Sequence, residues 1–377
     1  MSEADRAGAV LTIDLGAIAD NYRQLRDRVA PAAECAAVVK ADAYGLGAKH
    51  VVPVLHEAGC RTFFVALLDE GIAVRQVLYA CAPPAAGGNE PTIYVLSGLT
   101  ENTAHVFAEH RLRPVLNSIG DIDAWKAFAR DAVSQTAAAV HVDTGMSRLG
   151  LPENELASLR DAPERLAGFR LAHVISHLAC ADDPDHPLNA LQRDAFEAAR
   201  ASLPTAPGSL ANSSGIFLGP SFHADMVRPG CALYGVAPTS GQPNPMKQVI
   251  RLQGKILQIR EIDTHQTVGY GATHRAEKRT KIATVAVGYA DGYLRYLSNR
   301  GSAHIGDYRV PLVGRVSMDL TTFDVTDVPG NLVHPGALID LIDQSNTVDA
   351  LAEDADTIGY EILTGLGARY HRVYRRR

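Results

Sequence analysis

The stretch Cys35-Ala36-Ala37-Val38-Val39-Lys40-Ala41-Asp42-Ala43-Tyr44-Gly45-Leu46-Gly47-Ala48 is the key to this chain. Five small or β-branched apolar residues in an unbroken run predict a short strand buried on both faces, of the kind found in parallel sheets. The glycine pair Gly45 and Gly47 marks the turn that follows. A lysine closes the strand. At such a position its amine is held partly out of water, which lowers its pKa and makes it a nucleophile able to condense with a carbonyl. Taken alone, a strand-end lysine that simply reaches solvent is the plainer reading.

Similar apolar runs recur outward from this one, at 62–66, 92–96, 114–117, 138–142, 171–176, 209–212 and 226–228. Between them lie stretches of helical periodicity, including 15–29, 124–132 and 188–202. Residues Leu15, Ile18, Tyr22, Leu25 and Val29 share one face of the first. Eight strand-then-helix units over about 235 residues match a (β/α)8 barrel, whose active sites form at the C-terminal strand ends. A doubly wound open sheet has the same local signature. The Pro/Gly/Ser-rich stretch 238–245 then marks a boundary. Beyond it, segments 249–262, 281–287, 310–313, 321–325 and 337–341 read as strands, with a helical insert at 348–352 and a closing segment from Tyr360. The expected architecture is an α/β chain: an N-terminal (β/α)8 TIM-type barrel, residues 1–240, followed by a mainly β C-terminal domain, residues 241–377.

Composition narrows the function. The 377 residues are 46% hydrophobic and 21% charged, which fits a folded soluble protein of two or three domains. Thirty-six basic against 42 acidic residues give a net charge of -6, so no basic field points to nucleic acid. No apolar run reaches the roughly 20 residues of a membrane span. The opening Met1-Ser2-Glu3-Ala4-Asp5-Arg6 is too polar for a signal peptide, and a cytoplasmic location is expected. Cysteines 35, 60, 81, 180 and 231 are scattered and odd in number, which speaks against a disulfide framework or a zinc site. His173 and His177 have the spacing of a helical metal pair but fall in a strand segment, so no metal is expected. The acidic stretch 182–186 lacks the pattern of a calcium loop.

The Lys40 segment resembles the pyridoxal-phosphate attachment segment of the alanine racemase family. The similarity continues in order through Asp143-Thr144-Gly145-Met146-Ser147-Arg148-Leu149-Gly150, Ser176-His177-Leu178-Ala179, Ala211-Asn212-Ser213-Ser214, Val227-Arg228-Pro229-Gly230, Gly269-Tyr270-Gly271, Gly288-Tyr289-Ala290-Asp291-Gly292, Gly314-Arg315-Val316-Ser317-Met318-Asp319 and Thr357-Ile358-Gly359-Tyr360-Glu361. The resemblance implies a racemase interconverting L- and D-alanine with pyridoxal 5'-phosphate. It also implies a homodimer whose active sites combine one subunit's barrel with the other's β domain. Lys40 would carry the cofactor covalently and act as one acid/base group. Tyr270, from the partner subunit, would act on the opposite face. Such a pair is what racemisation requires, because the α-proton must leave from one side and return to the other.

Arg228 would face the pyridine nitrogen, and its permanent charge would leave that nitrogen unprotonated. His177 would hydrogen-bond toward Arg228 and Tyr270. Tyr44, Ser213 and Tyr360 would give hydroxyls to the phosphate, with backbone N–H groups from Gly230 and Cys231. Arg148 would contact the cofactor's phenolic oxygen and the substrate carboxylate, and the backbone at Met318 would help seat that carboxylate. The resemblance suits either supply of D-alanine for the cell wall or its breakdown. A serine or broader-specificity racemase shares the fold and cofactor. A non-catalytic carrier would lack the C-terminal domain and Tyr270, and a decarboxylase would be expected to place an acid where Arg228 stands.

The chain departs from the family at His141. Many members have a lysine there, converted by carbon dioxide to a carbamate whose charge holds the arginine equivalent to Arg148. Histidine forms no such carbamate. The resemblance then leaves two options, a bound anion such as chloride between His141 and Arg148, which is favoured, or a direct hydrogen bond from a neutral imidazole backed by an acidic neighbour. Ser317, where relatives often have cysteine, is a smaller change.

Overall fold

A computed structural model describes residues 6–83, 90–131 and 136–376. The chain forms two compact units, one of Ile18–Met246 and one that starts at Lys247 and also takes in the residues up to Ala17.

In the first unit, barrel strand one is split into Glu34–Cys35 and Ala37–Val38. It is followed by Thr62–Val65, Thr92–Val95, Arg113–Leu116, Ala137–His141, Arg170–Ile175, Gly208–Ser209 and Met226–Val227. Neighbours pair in parallel in chain order. Strand eight closes the ring on strand one, Met226 opposite Glu34 and Val227 opposite Cys35. On its other side, Arg228 N donates to Ala211 O beyond strand seven (2.9 Å). These runs are apolar on both faces because both are covered: Phe63, Phe64, Val65, Ile93, Tyr94 and Val95 are fully buried. Helix Leu15–Arg28 is held on this unit by Tyr22, whose hydroxyl donates to Cys35 O (2.9 Å), and by Asn21, whose amide donates to Leu233 O (3.2 Å). No helix among the described residues is long and apolar enough to cross a membrane.

The second unit is β-rich and built around the 13-residue strand Ile250–Ile262. Its first half pairs with Leu338–Ile342 and with Ala9–Asp14, and its second half with Thr280–Val285, the register shifting between Ile256 and Gln258. Gly254 sits where the strands crowd most, and a Cβ there would strike Val285 Cγ1. The division expected at residue 240 misses one thing. Ala9–Asp14 lies between Ile250–Ile262 and His371–Arg375, pairing antiparallel with the first and parallel with the second, so the first strand of the chain completes the C-terminal sheet. Its alternation of fully buried Leu11 and Ile13 with half-buried Val10, Thr12 and Asp14 is the pattern of a one-face-buried strand.

Candidate active site

Lys40 follows directly on barrel strand one, where the last ladder bond runs from Val39 N to Phe64 O (2.8 Å). The next four residues, Ala41, Asp42, Ala43 and Tyr44, all have left-handed φ between 51° and 55°. For residues with a Cβ this costs roughly 1–2 kcal/mol each, so the turn must be imposed from outside. Glu70 is one clamp: one carboxylate oxygen accepts from Ala41 N (2.6 Å), the other from Ala66 N (2.8 Å) and Leu67 N (3.1 Å). Asp42 is the second, accepting from Ala48 N (2.7 Å) at the start of helix Ala48–Glu57. The left-handed turn thus ends the strand abruptly at Lys40. Burial and the nearby Arg148 cation lower the Lys40 amine below its ordinary range, while Glu70 opposes the shift.

Arg228 is 5% exposed and has no carboxylate partner among the described residues. Its guanidinium donates to Ser209 Oγ (2.5 Å), Ser176 O (2.6 Å) and Leu210 O (3.4 Å), and to His177 Nδ1 (3.4 Å). The carbonyls fix its plane, and Phe64 lies beneath it at 5.9 Å. Burial lowers it to about 10, so it remains a cation at neutral pH. That bond makes His177 Nδ1 the acceptor, and burial beside Arg228 and Arg148 holds the imidazole neutral.

Three groups crowd together below the left-handed turn. Tyr44 is buried, its ring 4.6 Å from that of Tyr234, whose hydroxyl donates to Val38 O (2.9 Å). A Cβ on Gly230 would fall on Tyr44 Oη, so only glycine allows this approach. Ser213 Oγ accepts from Gly230 N (2.8 Å) and Ala232 N (3.3 Å) on either side of Cys231. Hydroxyls and backbone N–H groups gathered in this way make a donor set suited to a phosphate.

The 142–151 loop carries Arg148. Asp143 folds it by accepting from Gly145 N, Met146 N and Ser147 N (2.9–3.1 Å), and Leu151 N closes it on His141 O (2.8 Å). Arg148 is exposed. The stretch 176–179 is tied to this loop by Gln192, fully buried, which donates to His177 O (2.9 Å) and Thr144 Oγ1 (3.3 Å) and accepts from Ala179 N (2.8 Å). The hydrogen-bond partner of the His141 ring is an amide: His141 Nδ1 and Asn117 Oδ1 are 2.8 Å apart, and the Asp143 carboxylate also acts on the ring. Burial and the Arg228 cation push the imidazole down to about 4.

The structure brings Lys40, Tyr44, Arg148, His177, Ser213, Arg228, Gly230 and Cys231 together in the barrel unit. Tyr270, Met318 and Tyr360 lie on the β-rich unit, 72%, 53% and 37% exposed. Tyr270 is lifted from the surface by Gly269 and Gly271, both at left-handed φ, and a Cβ on Gly271 would lie 2.6 Å from Arg315 Nη1. Ser317 O and Met318 O accept from Tyr289 N and Ala290 N (3.0 Å each), a contact that leaves no room for a side chain at Gly288. Arg369 bridges the two loops, to Asp291 (2.6 Å) and Asp319 (2.7 Å). Of the pair His173 and His177, His173 Nδ1 lies 2.8 Å from the Tyr94 hydroxyl, and no group of three or more His, Cys, Asp or Glu that could hold a metal ion occurs among the described residues. Glu70, Gln192 and Asn117 escaped the sequence reading. Only Glu70 had a signal, an acid in the first turn of helix Leu68–Cys81.

The donor set, the lysine above it and the buried arginine fit pyridoxal phosphate. Arg228 supports this further: its Nη1 and Nη2 are engaged, while Nε has no hydrogen-bond partner among the described residues.

Comparison with known proteins agrees. Residues 13–238 match the model of the alanine racemase N-terminal domain and residues 249–374 that of the C-terminal domain. The chain is 55% identical over 374 residues to the alanine racemase of Rhodospirillum rubrum, covering 99% of this chain and 98% of the relative. It is 48% identical to the catabolic alanine racemase of Mesorhizobium japonicum, covering 99% and 95%. The crystal structure of alanine racemase from Bartonella henselae, with covalently bound pyridoxal phosphate, superposes with a TM-score of 0.91 at 41% identity over 98% of this chain and all of that one. On the two domain matches and these full-length similarities, the chain belongs to the alanine racemase family.

Proposed function

We propose that the protein interconverts L- and D-alanine with pyridoxal 5'-phosphate, using Lys40 and Tyr270 as its two acid/base groups. The observation that carries this reading is Lys40: an amine lowered by burial, fixed by a left-handed turn above a cradle of hydroxyl and backbone N–H donors. Lys40, Tyr44, Ser213, Arg228 and the backbone at 230–231 would hold the cofactor, with Tyr360 adding a hydroxyl. When bound, the cofactor would supply an acceptor for the electron pair left on Cα as the proton departs. Lys40 Nζ takes or returns that proton on one side, and Tyr270 Oη on the other. Arg228, satisfied by carbonyls and still cationic, has no proton to give to the ring nitrogen. Arg148 binds the substrate carboxylate and keeps the amino acid in register with Lys40.

Tyr270 and Met318 stand exposed on the β-rich unit, which supports a homodimer in which they complete the partner's barrel site. Purified protein incubated with L-alanine, L-serine and larger amino acids, followed by chiral chromatography, tests the activity. D-alanine as the main product is expected, D-serine in excess would move the assignment to a serine racemase, and no D-amino acid would refute it. For the shared site, mixing Lys40→Ala chains with Tyr270→Ala chains should restore part of the activity. No recovery in proven heterodimers would place both groups in one chain.

A further inference from the structure

The mouth of the barrel contains an imidazole whose tautomer can be deduced from its neighbours. Asn117 follows barrel strand four, and its side-chain amide donates to Leu96 O and Val115 O (3.0 Å each). With its nitrogen committed, the Oδ1 atom is what meets His141, so His141 Nδ1 is the donor. The remaining nitrogen, Nε2, is then a bare lone pair. It has no hydrogen-bond partner among the described residues, and the same holds for the Arg148 guanidinium. These two groups belong to one closed loop. Leu151 N donates to His141 O at its base, and Gly150, at φ 98°, packs so closely that a Cβ would lie 3.0 Å from His141 Cγ and Cδ2.

Asp143, the carboxylate of this loop, is taken up by backbone N–H groups. The groups that His141 senses are Arg228, Asp143 and Arg148, and His177 in turn senses His141. Buried and close to two arginines, the ring stays neutral and keeps its lone pair available through the physiological range.

We infer that Asn117 and His141 are positioning residues for Arg148: Asn117 locks the proton on Nδ1, and Nε2 accepts a hydrogen bond from the Arg148 guanidinium, orienting it toward the substrate carboxylate. The inference rests on the function proposed above. In this arrangement a neutral acceptor, with no charge and no added ligand, holds the arginine.

The holoenzyme variants His141→Asn and His141→Gln test this. Asparagine can keep the bond to Asn117 but has nothing at the Nε2 position, whereas glutamine can place an oxygen there. A hydrogen bond to a charged donor contributes enough to change binding by about 10- to 100-fold. His141→Asn should therefore raise KM for alanine by at least about 10-fold with a smaller change in kcat, and His141→Gln should recover most of that loss. In parallel, 15N NMR of histidine-labelled wild-type enzyme, with the His141 signal assigned by its loss in the Gln variant, should show the Nδ1-protonated neutral form from pH 5.5 to 8. An Asn117→Leu variant should lose that preference. A KM for His141→Asn within about twofold of wild type, or a proton found on Nε2, would overturn the inference. The spectrum reads the tautomer whether or not alanine is turned over, so failure of the proposed activity is distinguishable from failure of this assignment.

Discussion

Replacing Glu70 by glutamine isolates the device that holds Lys40. The carboxylate accepts three backbone hydrogen bonds, from Ala41 N on one oxygen and from Ala66 N and Leu67 N on the other. A glutamine of the same shape has one oxygen and one NH2 group. Whichever way the amide turns, its NH2 faces at least one N–H, so at least one bond is lost. Hydrogen bonds to a charged group contribute about 1.5–3 kcal/mol each. For a unit of the size of Ile18–Met246, each kcal/mol moves Tm by about 2–4 °C. Glu70→Gln should therefore lower Tm by about 3–12 °C. It also removes the negative charge that holds the Lys40 amine up. The amine should fall further, so condensation of the apoprotein with pyridoxal phosphate, trapped with borohydride and mapped to Lys40, should reach its half-maximal rate at a lower pH than in wild type. Slackening of the left-handed turn should at the same time reduce kcat. A Tm within about 1 °C of wild type together with an unmoved pH midpoint would refute the clamp.

Gly230→Ala drives a methyl group into Tyr44 Oη and should weaken pyridoxal-phosphate retention by at least about 10-fold; adding Tyr44→Phe should relieve part of the stability loss, measured as a double-mutant cycle in Tm. Arg228→Lys leaves two of the carbonyl or hydroxyl acceptors without donors, at about 1–3 kcal/mol each, and should lower Tm and bleach the cofactor absorbance on dialysis. His141 and His173 both titrate near 4 in the folded chain, against about 6.5 unfolded. Between those values the unfolded chain binds more protons, so stability should rise with pH and fall as pH drops from 6.5 toward 4. Thermal scans should show a shallower fall for His173→Gln.

How much of this could be read from residues alone depends on where each signal lies. The barrel strands are legible to within one residue at their ends, save strand seven, which stops three residues before the expected 212, because both faces are buried and each is a plain apolar run with nothing to alternate. Helix Ile119–Asp131 begins five residues before the expected 124, because Ser118 and Asp121 supply a polar start that masks its apolar face. Strand Ala9–Asp14 has an alternating sequence that fixes its conformation but not its partner, and only long-range pairing places it in the C-terminal sheet. At the site, Lys40 and Arg228 stood out through ordered motifs. Glu70 shows in the sequence only as an acid in the first turn of its helix, and its bond to the distant Ala41 N leaves no local mark, nor do the contacts of Asn117 with Leu96 O and the His141 ring.

The position of Ala9–Asp14 also bears on how the chain is made. Its neighbours in the sheet are Ile250–Ile262 and His371–Arg375, so the first strand synthesised is paired on one edge by almost the last. At about 5–20 residues per second, residue 371 follows residue 10 out of the ribosome by roughly 20–70 s. The barrel can form behind an N-terminal strand that offers both edges to other nascent chains until Ile250–Ile262 emerges, and one edge until His371–Arg375 follows. A circular permutant opened in the Gly241-Gln242-Pro243 linker, with the old termini joined, would synthesise all of this strand's partners together and shorten the wait. It should show a higher folding yield at the same final stability.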